Sequence, residues 1–196
     1  MLLDDALTRG AVDLCAIFGN SRPVELEIGA GKGTFLLGRA AARPELNILG
    51  LEYARAYCCY AADRCRRAGL INARLVAAEA FHFFKVCLAD DCLWRVYIYF
   101  PDPWPKQRHH HRRLMQPLFV QELRRTLQPG GQLLIITDHI DYFQQILLLL
   151  DNADGFACIR FPNMVDSPGC FVGTNFERKY IAQRRAFYPI AKMRYC

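Results

Sequence analysis

Five short apolar stretches, at residues 24–28, 46–51, 73–77, 94–100 and 132–137, each read as a strand. A helical pattern follows each of them, at 34–42, 54–68, 80–88, 114–127 and 142–150. No other property of the chain restricts its fold as sharply. Strands separated by helices need crossover connections, and such crossovers build a parallel sheet covered by helices on both faces. The punctuation agrees. Gly69 closes the second helix, and Pro117 stands in the first turn of the fourth, where a missing amide proton is tolerated. Pro129-Gly130-Gly131 marks a turn before the fifth strand. With 196 residues, no internal repeat and no linker, the chain reads as one domain, residues 1–196, large enough for one substantial core. The expected fold class is α/β: a doubly wound, mainly parallel sheet with an antiparallel C-terminal strand.

Sheets of this kind bind ligands beyond the carboxyl ends of their strands. Five acids stand there, one per strand: Glu27, Glu52, Glu79, Asp102 and Asp138. Any single one has a plain reading as a helix cap or a surface residue, but together they form an acidic rim. The first turn, "LEIGAGKGTF", admits three ligand readings. A phosphate-cradling loop requires GxxxxGK[ST], and here Gly33 follows Lys32, so the spacing fails. A dinucleotide turn requires GxGxxG, and here the third glycine falls one residue early. The E-x-G-x-G turn of S-adenosylmethionine-dependent methyltransferases fits. That cofactor carries no phosphate, so Gly29 and Gly31 serve close backbone approach rather than anion binding. Glu27 then lies near its ammonium group, Glu52 accepts from the ribose hydroxyls, and Glu79 reaches the adenine amine. A purely structural glycine turn is the competing reading.

Composition removes several classes. Hydrophobic residues make up 53% of the chain and charged ones 22%, as in an ordinary globular protein. Apolar runs end at about five residues, far short of the ~20 of a membrane helix. The start, "MLLDDALTRG", has acids where a secretory leader carries bases, so a cytoplasmic location is expected. The nine cysteines are scattered without CxxC spacing and read as small buried hydrophobes. A zinc site from Cys58, Cys59, Cys65 and a histidine matches no familiar ligand pattern, so no metal is expected. The net charge of +6 is concentrated: residues 104–113 carry four Lys/Arg and residues 178–196 carry six, with no acid in either. The rest of the chain is net negative, a distribution suited to a polyanion touched in two places.

The fourth strand ends in "FPDPWPKQRHHHRR". Methyltransferases acting on exocyclic amines usually carry [DNS]PP[YFW] here. This chain has Asp102-Pro103-Trp104, with one proline after the acid. The string PDPW-x-K-x-RH-x-x-RR, followed much later by "GTNFERKY", resembles the tRNA (guanine-N7)-methyltransferase family, and the resemblance runs from about Val24 to the C-terminus. It implies a Rossmann-like domain that moves a methyl group from S-adenosylmethionine to N7 of a guanine in tRNA, usually position 46 of the variable loop. It also implies S-adenosylhomocysteine as product and no obligate protein partner, the chain being a monomer or homodimer. Glu27, Gly29, Gly31, Glu52, Glu79 and Asp102 match the family's cofactor positions, and Asp102 also its catalytic position. Lys106, Asp138, Thr174, Asn175, Phe176 and Glu177 match its substrate positions. Two residues depart from the pattern: His111, where many members have lysine, and Glu79, where Asp or Asn is usual.

The chemistry is compatible. Guanine N7 is a lone-pair acceptor and needs no strong base, so catalysis is mainly alignment, with Asp102 accepting hydrogen bonds rather than a proton. Lys106, Arg108, Arg112 and Arg113 are expected on phosphates, and Trp104 either on a base or buried. His109, His110 and His111 read as surface or RNA contacts. A base stacked in folded tRNA must leave its stack to react. Two other classes compete: a methyltransferase acting on another RNA or a small molecule, and a non-catalytic RNA-binding protein that kept the fold. The basic patches disfavour a small molecule, and an intact E-x-G-x-G with Glu52 and Asp102 disfavours loss of catalysis.

Overall fold

Seven strands form one sheet in the order β3-β2-β1-β4-β5-β7-β6. The structure is a computed structural model and describes residues 10–163 and 174–195. In chain order the elements are α1 (Leu14–Phe18), β1 (Val24–Ile28), α2 (Thr34–Ala42), β2 (Asn47–Glu52), α3 (Arg55–Arg67), β3 (Ala73–Ala77) and α4 (Ala80–His82). Then come β4 (Leu93–Tyr99), α5 (Pro117–Thr126), β5 (Leu127–Thr137), α6 (Ile140–Asp151), β6 (Phe156–Cys158), α7 (Asn175–Ala182) and β7 (Tyr188–Arg194). β1 to β5 run parallel, and β7 is antiparallel to both its neighbours, as the sequence led us to expect.

The register matters for function. Ile28 pairs with Leu51 of β2 and with Ile98 of β4, so the three central strands end together. Side chains alternate between the faces. Leu26, Ile28, Leu49, Val96 and Ile135 pack on one face against Phe84, Phe119, Leu123 and Ile146. On the other, Ile48 and Leu75 meet α2 and α3 through Leu36, Ala61 and Cys65, while Phe35 inserts between Tyr97 and Tyr99. Glu25 of β1 also points to this second face and is fully buried. It accepts from Arg39 (2.7 and 2.8 Å), Tyr97 Oη (2.6 Å) and Arg95 (3.3 Å), which ties α2 to β1 and β4.

Several boundaries differ from expectation. Residues 80–88 make only one α-turn and then a π-helical turn, Phe83–Cys87, which turns Phe83, Phe84 and Cys87 all into the core. Residues 129–131 do not form a turn ahead of β5, which already starts at Leu127. They bulge within it, and the register against β4 shifts between Leu93 and Arg95. The basic stretch forms a 3-10 helix, Gln107–Arg112. Cys58, Cys65 and Cys87 are buried as expected, but Cys15, Cys59 and Cys158 are exposed. Among the described residues no group of three or more His, Cys, Asp or Glu is placed to hold a metal ion. No helix among them is long and apolar enough to cross a membrane.

Candidate active site

A cleft of about 790 Å3 opens where β1, β2, β3 and β4 end. One wall is the first turn. Gly31 adopts φ 53°, and its N–H donates to Glu52 Oε2 at 2.8 Å. A Cβ there would meet nothing closer than 3.9 Å, so the absent side chain leaves room on the cleft side rather than relieving a clash. Gly33 is different. It lies at φ 73°, and a Cβ would stand 2.8 Å from that of Ala61, so it is the close approach of α2 to α3 that requires glycine. The third glycine thus serves packing, which explains why its spacing fits no phosphate motif.

Behind the turn lies Glu27, 4% exposed. Burial holds its carboxyl well above the usual carboxylate range; the Leu36 amide partly offsets this, and Glu52 adds repulsion. Its Oε2 has no hydrogen-bond partner among the described residues, and neither does the buried hydroxyl of Tyr99 beside it in the same cleft. Buried polar atoms are nearly always paired, so two orphans facing one cleft fit a ligand that brings a donor. Glu52 accepts from Gly31 and Ala54 amides (both 2.8 Å), which fixes its carboxylate at the rim. Glu79 caps α4, accepting from Phe81 (2.9 Å) and His82 (2.7 Å), and also lines the cleft. These residues fit S-adenosylmethionine: a buried carboxyl for its ammonium, open backbone for its amino-acid end, and a fixed carboxylate for two hydroxyls.

The opposite wall is the end of β4. Phe100 (φ 52°) and Trp104 (φ 42°) hold left-handed backbone around Pro101-Asp102-Pro103, a conformation that side-chain-bearing residues adopt at a cost of about 1–2 kcal/mol each. Phe100 is anchored by its N–H to Ile136 O (2.7 Å) and by edge contacts to Tyr180 and Phe187. Trp104 is half-buried in the cleft wall, with His109 at its edge and Arg112 5.1 Å above its ring. Asp102 stands exposed between these supports. Arg113, expected on a phosphate, is instead 2% exposed. It donates to Pro103 O (2.8 Å), Gln145 (2.5 Å) and Asp141 (2.5 Å) and stacks on Tyr142. It pins the acidic motif to α6, because the planar guanidinium fork can bridge three acceptors at once.

The cleft therefore gathers Glu27, Gly29, Gly31, Glu52, Glu79, Asp102 and Thr174. Thr174 caps α7 by accepting from Glu177 N–H at 3.0 Å. Lys106, Asp138 and Glu177 are not in its lining. Lys106 is exposed, Glu177 is fully buried, and Asp138 pairs with Arg185 at 2.6 Å while Arg185 stacks on Tyr180. The side chains of Asn175 and Phe176 lie outside the described residues. The second basic patch is smaller than its sequence suggests. Besides Arg185, Lys192 is buried against Asp151 (2.5 Å) and Cys158 (2.9 Å), and Arg194 pairs with Asp91. Arg178, Lys179 and Arg184 remain exposed. Sequence reading missed Tyr53 and Tyr57 in the cleft; their i, i+4 spacing directly after Glu52 was the available signal.

A family model described as "Putative methyltransferase" matches residues 21–190. A tRNA (guanine-N(7)-)-methyltransferase of Nitrosococcus oceani is 42% identical over 150 residues, which cover 76% of this chain and 64% of that protein. One of Halorhodospira halophila is 40% identical over 185 residues, covering 89% of this chain and 76% of that protein. The chain belongs to the tRNA (guanine-N(7)-)-methyltransferase family. Its fold is shared by a SAM-dependent methyltransferase of Aquifex aeolicus, with a TM-score of 0.60 at 17% identity over 92% of this chain and 87% of the other. Against the family members above, the chain spans roughly two thirds to three quarters of their length.

Proposed function

We propose that this chain, working as one cytoplasmic domain, methylates N7 of a guanine in tRNA, at position 46, with S-adenosylmethionine as donor. One observation carries the reading: a single cleft is walled on one side by Glu27, Gly31 and Glu52 and on the other by Asp102, Trp104 and Arg112. The family members' names supply the substrate and the atom. When bound, the cofactor supplies an electrophilic methyl group on a sulfonium. Glu27 holds its ammonium, Glu52 its ribose, and Glu79 the adenine edge. No base is needed, because the N7 lone pair is already nucleophilic. Asp102 accepts the N–H donors of the guanine or of the cofactor and sets the angle of approach; Trp104 offers a face to the displaced base. Lys106, Arg108 and Arg112 meet phosphates. Thr174 meets the substrate from the α7 side, and buried Glu177 and Arg185-paired Asp138 support that side rather than touch the substrate.

The test incubates purified protein with labelled S-adenosylmethionine and an unmodified tRNA transcript and maps the product nucleoside. The expected product is 7-methylguanosine in the variable loop, lost in Asp102→Ala. Cofactor binding without any methylated nucleoside would reject the substrate reading.

A further inference from the structure

A second cavity, of about 370 Å3, opens beside the cofactor cleft, at the small end of the ~300–1,000 Å3 range of ligand sites. The two share Glu79, Arg112 and Leu114 as a common wall. Its lining is apolar within, with Arg112 and His111 at the rim and the Glu79 carboxylate on the wall shared with the cleft. Phe119 is buried, Phe81 half-buried, and Leu118 is 63% exposed in the first turn of α5. Arg112 and His111 are exposed beside them. Gln116 donates through Nε2 to the carbonyls of His110 (2.9 Å) and Arg113 (3.2 Å), which leaves Oε1 as the acceptor it offers.

A flat apolar body with an N–H edge and an anionic tail matches this lining, and a nucleotide is such a ligand. The base would lie on Leu118 and Phe81, its amino edge at Gln116, its phosphate at Arg112 and His111. An isolated exposed leucine needs no explanation. This one lines a recess continuous with the cleft, on the side where Lys106, Arg108 and Arg112 give the surface its positive charge. We propose that this recess binds the base of a nucleotide adjacent to the target guanosine. The proposal rests on the tRNA-methylation reading of the cleft and names a further contact of that substrate. It also gives the displaced guanine a reason to stay out: its neighbour is unstacked as well and finds a replacement surface. A stacked base contributes roughly tenfold or more to affinity.

The test measures binding by fluorescence anisotropy, without cofactor, so catalysis is not required. Wild-type protein, Leu118→Glu and the uncharged Leu118→Asn are each titrated with an unmodified tRNA transcript. The titrations are repeated with transcripts carrying an abasic nucleotide on either side of the target guanosine. Position 118 is exposed, so both variants retain the fold. We expect Leu118→Glu to weaken binding of the intact transcript about tenfold. One of the two abasic transcripts should show the same loss with wild-type protein, and on that transcript Leu118→Asn should lose nothing further, while Leu118→Glu keeps only the repulsion its charge adds on every transcript. Variants that bind the intact transcript like wild type would overturn the proposal, as would an equal loss on every transcript. Methylation of the intact transcript is scored in parallel. The expected binding pattern without 7-methylguanosine keeps the subsite and rejects the activity. 7-Methylguanosine with wild-type-like variants rejects the subsite alone.

Discussion

Glu27 is the residue on which the cofactor reading can be tested in isolation. Its carboxyl is held high by burial, opposed by the Leu36 amide and reinforced by Glu52. A cationic ligand selects the ionised form, so binding must release a proton wherever the free protein keeps Glu27 protonated. Affinity for S-adenosylmethionine is therefore expected to rise with pH from the usual carboxylate range up to the raised value and then level off. Calorimetry in buffers of different ionisation enthalpy reads the released proton directly, and Glu27→Gln should abolish it. The stability sign is the opposite of that for a salt-bridged acid. The folded value lies above the unfolded one, so the penalty of the buried carboxylate is absent at low pH and grows as pH rises through the folded value. Glu27→Gln should thus gain Tm over wild type on the alkaline side while losing cofactor affinity. Asp102 acts through position. As a hydrogen-bond acceptor in an alignment reaction it would set the approach of the reacting atom, so Asp102→Ala should lower kcat about 100-fold, the scale of a misplaced reactant. Unchanged kcat in that variant would show that the alignment does not depend on it.

Between elements, two contacts keep the cleft in shape. Gly33 lets α2 press on α3, and Gly33→Ala meets both a positive φ and the Ala61 Cβ at 2.8 Å. The expected loss is about 1–3 kcal/mol, read by denaturant unfolding, and Ala61→Gly in the same chain should recover the steric part but not the backbone part. Arg113 ties the Asp102 loop to α6 through Pro103, Gln145 and Asp141. Arg113→Lys keeps the charge but not the fork, so the Asp102 loop loosens and kcat for methyl transfer should fall. Here the sequence was partly misleading. The alternation of strands and helices was legible because apolar runs, glycine stops and Pro117 agree on each boundary. The π-turn at Phe83–Cys87 and the bulge at 129–131 were not, because both are settled by packing against distant strands. The burial of Arg113 was hidden for the same reason: nothing near it in sequence announces Asp141 or Gln145.

At the scale of the molecule, the acidic rim was legible residue by residue because parallel strands in register end together. The basic patches were legible only as composition. Arg185, Lys192 and Arg194 find acids 41 to 103 residues away where ion pairs are resolved, so much of the C-terminal charge is internal. The exposed cations that remain are centred on Lys106, Arg108 and Arg112, joined by Arg178, Lys179 and Arg184. Lys106→Ala should flatten the slope of log affinity against log salt by about one, the release expected from one phosphate contact. The most direct test of the central claim replaces the target guanosine in the transcript by 7-deazaguanosine, which keeps the base's shape and Watson–Crick edge but removes the N7 lone pair. The expected result is unchanged binding with no methyl transfer to that nucleotide. Continued transfer to the same base would show that another atom is the acceptor and that the alignment of N7 by Asp102 is not what this cleft performs.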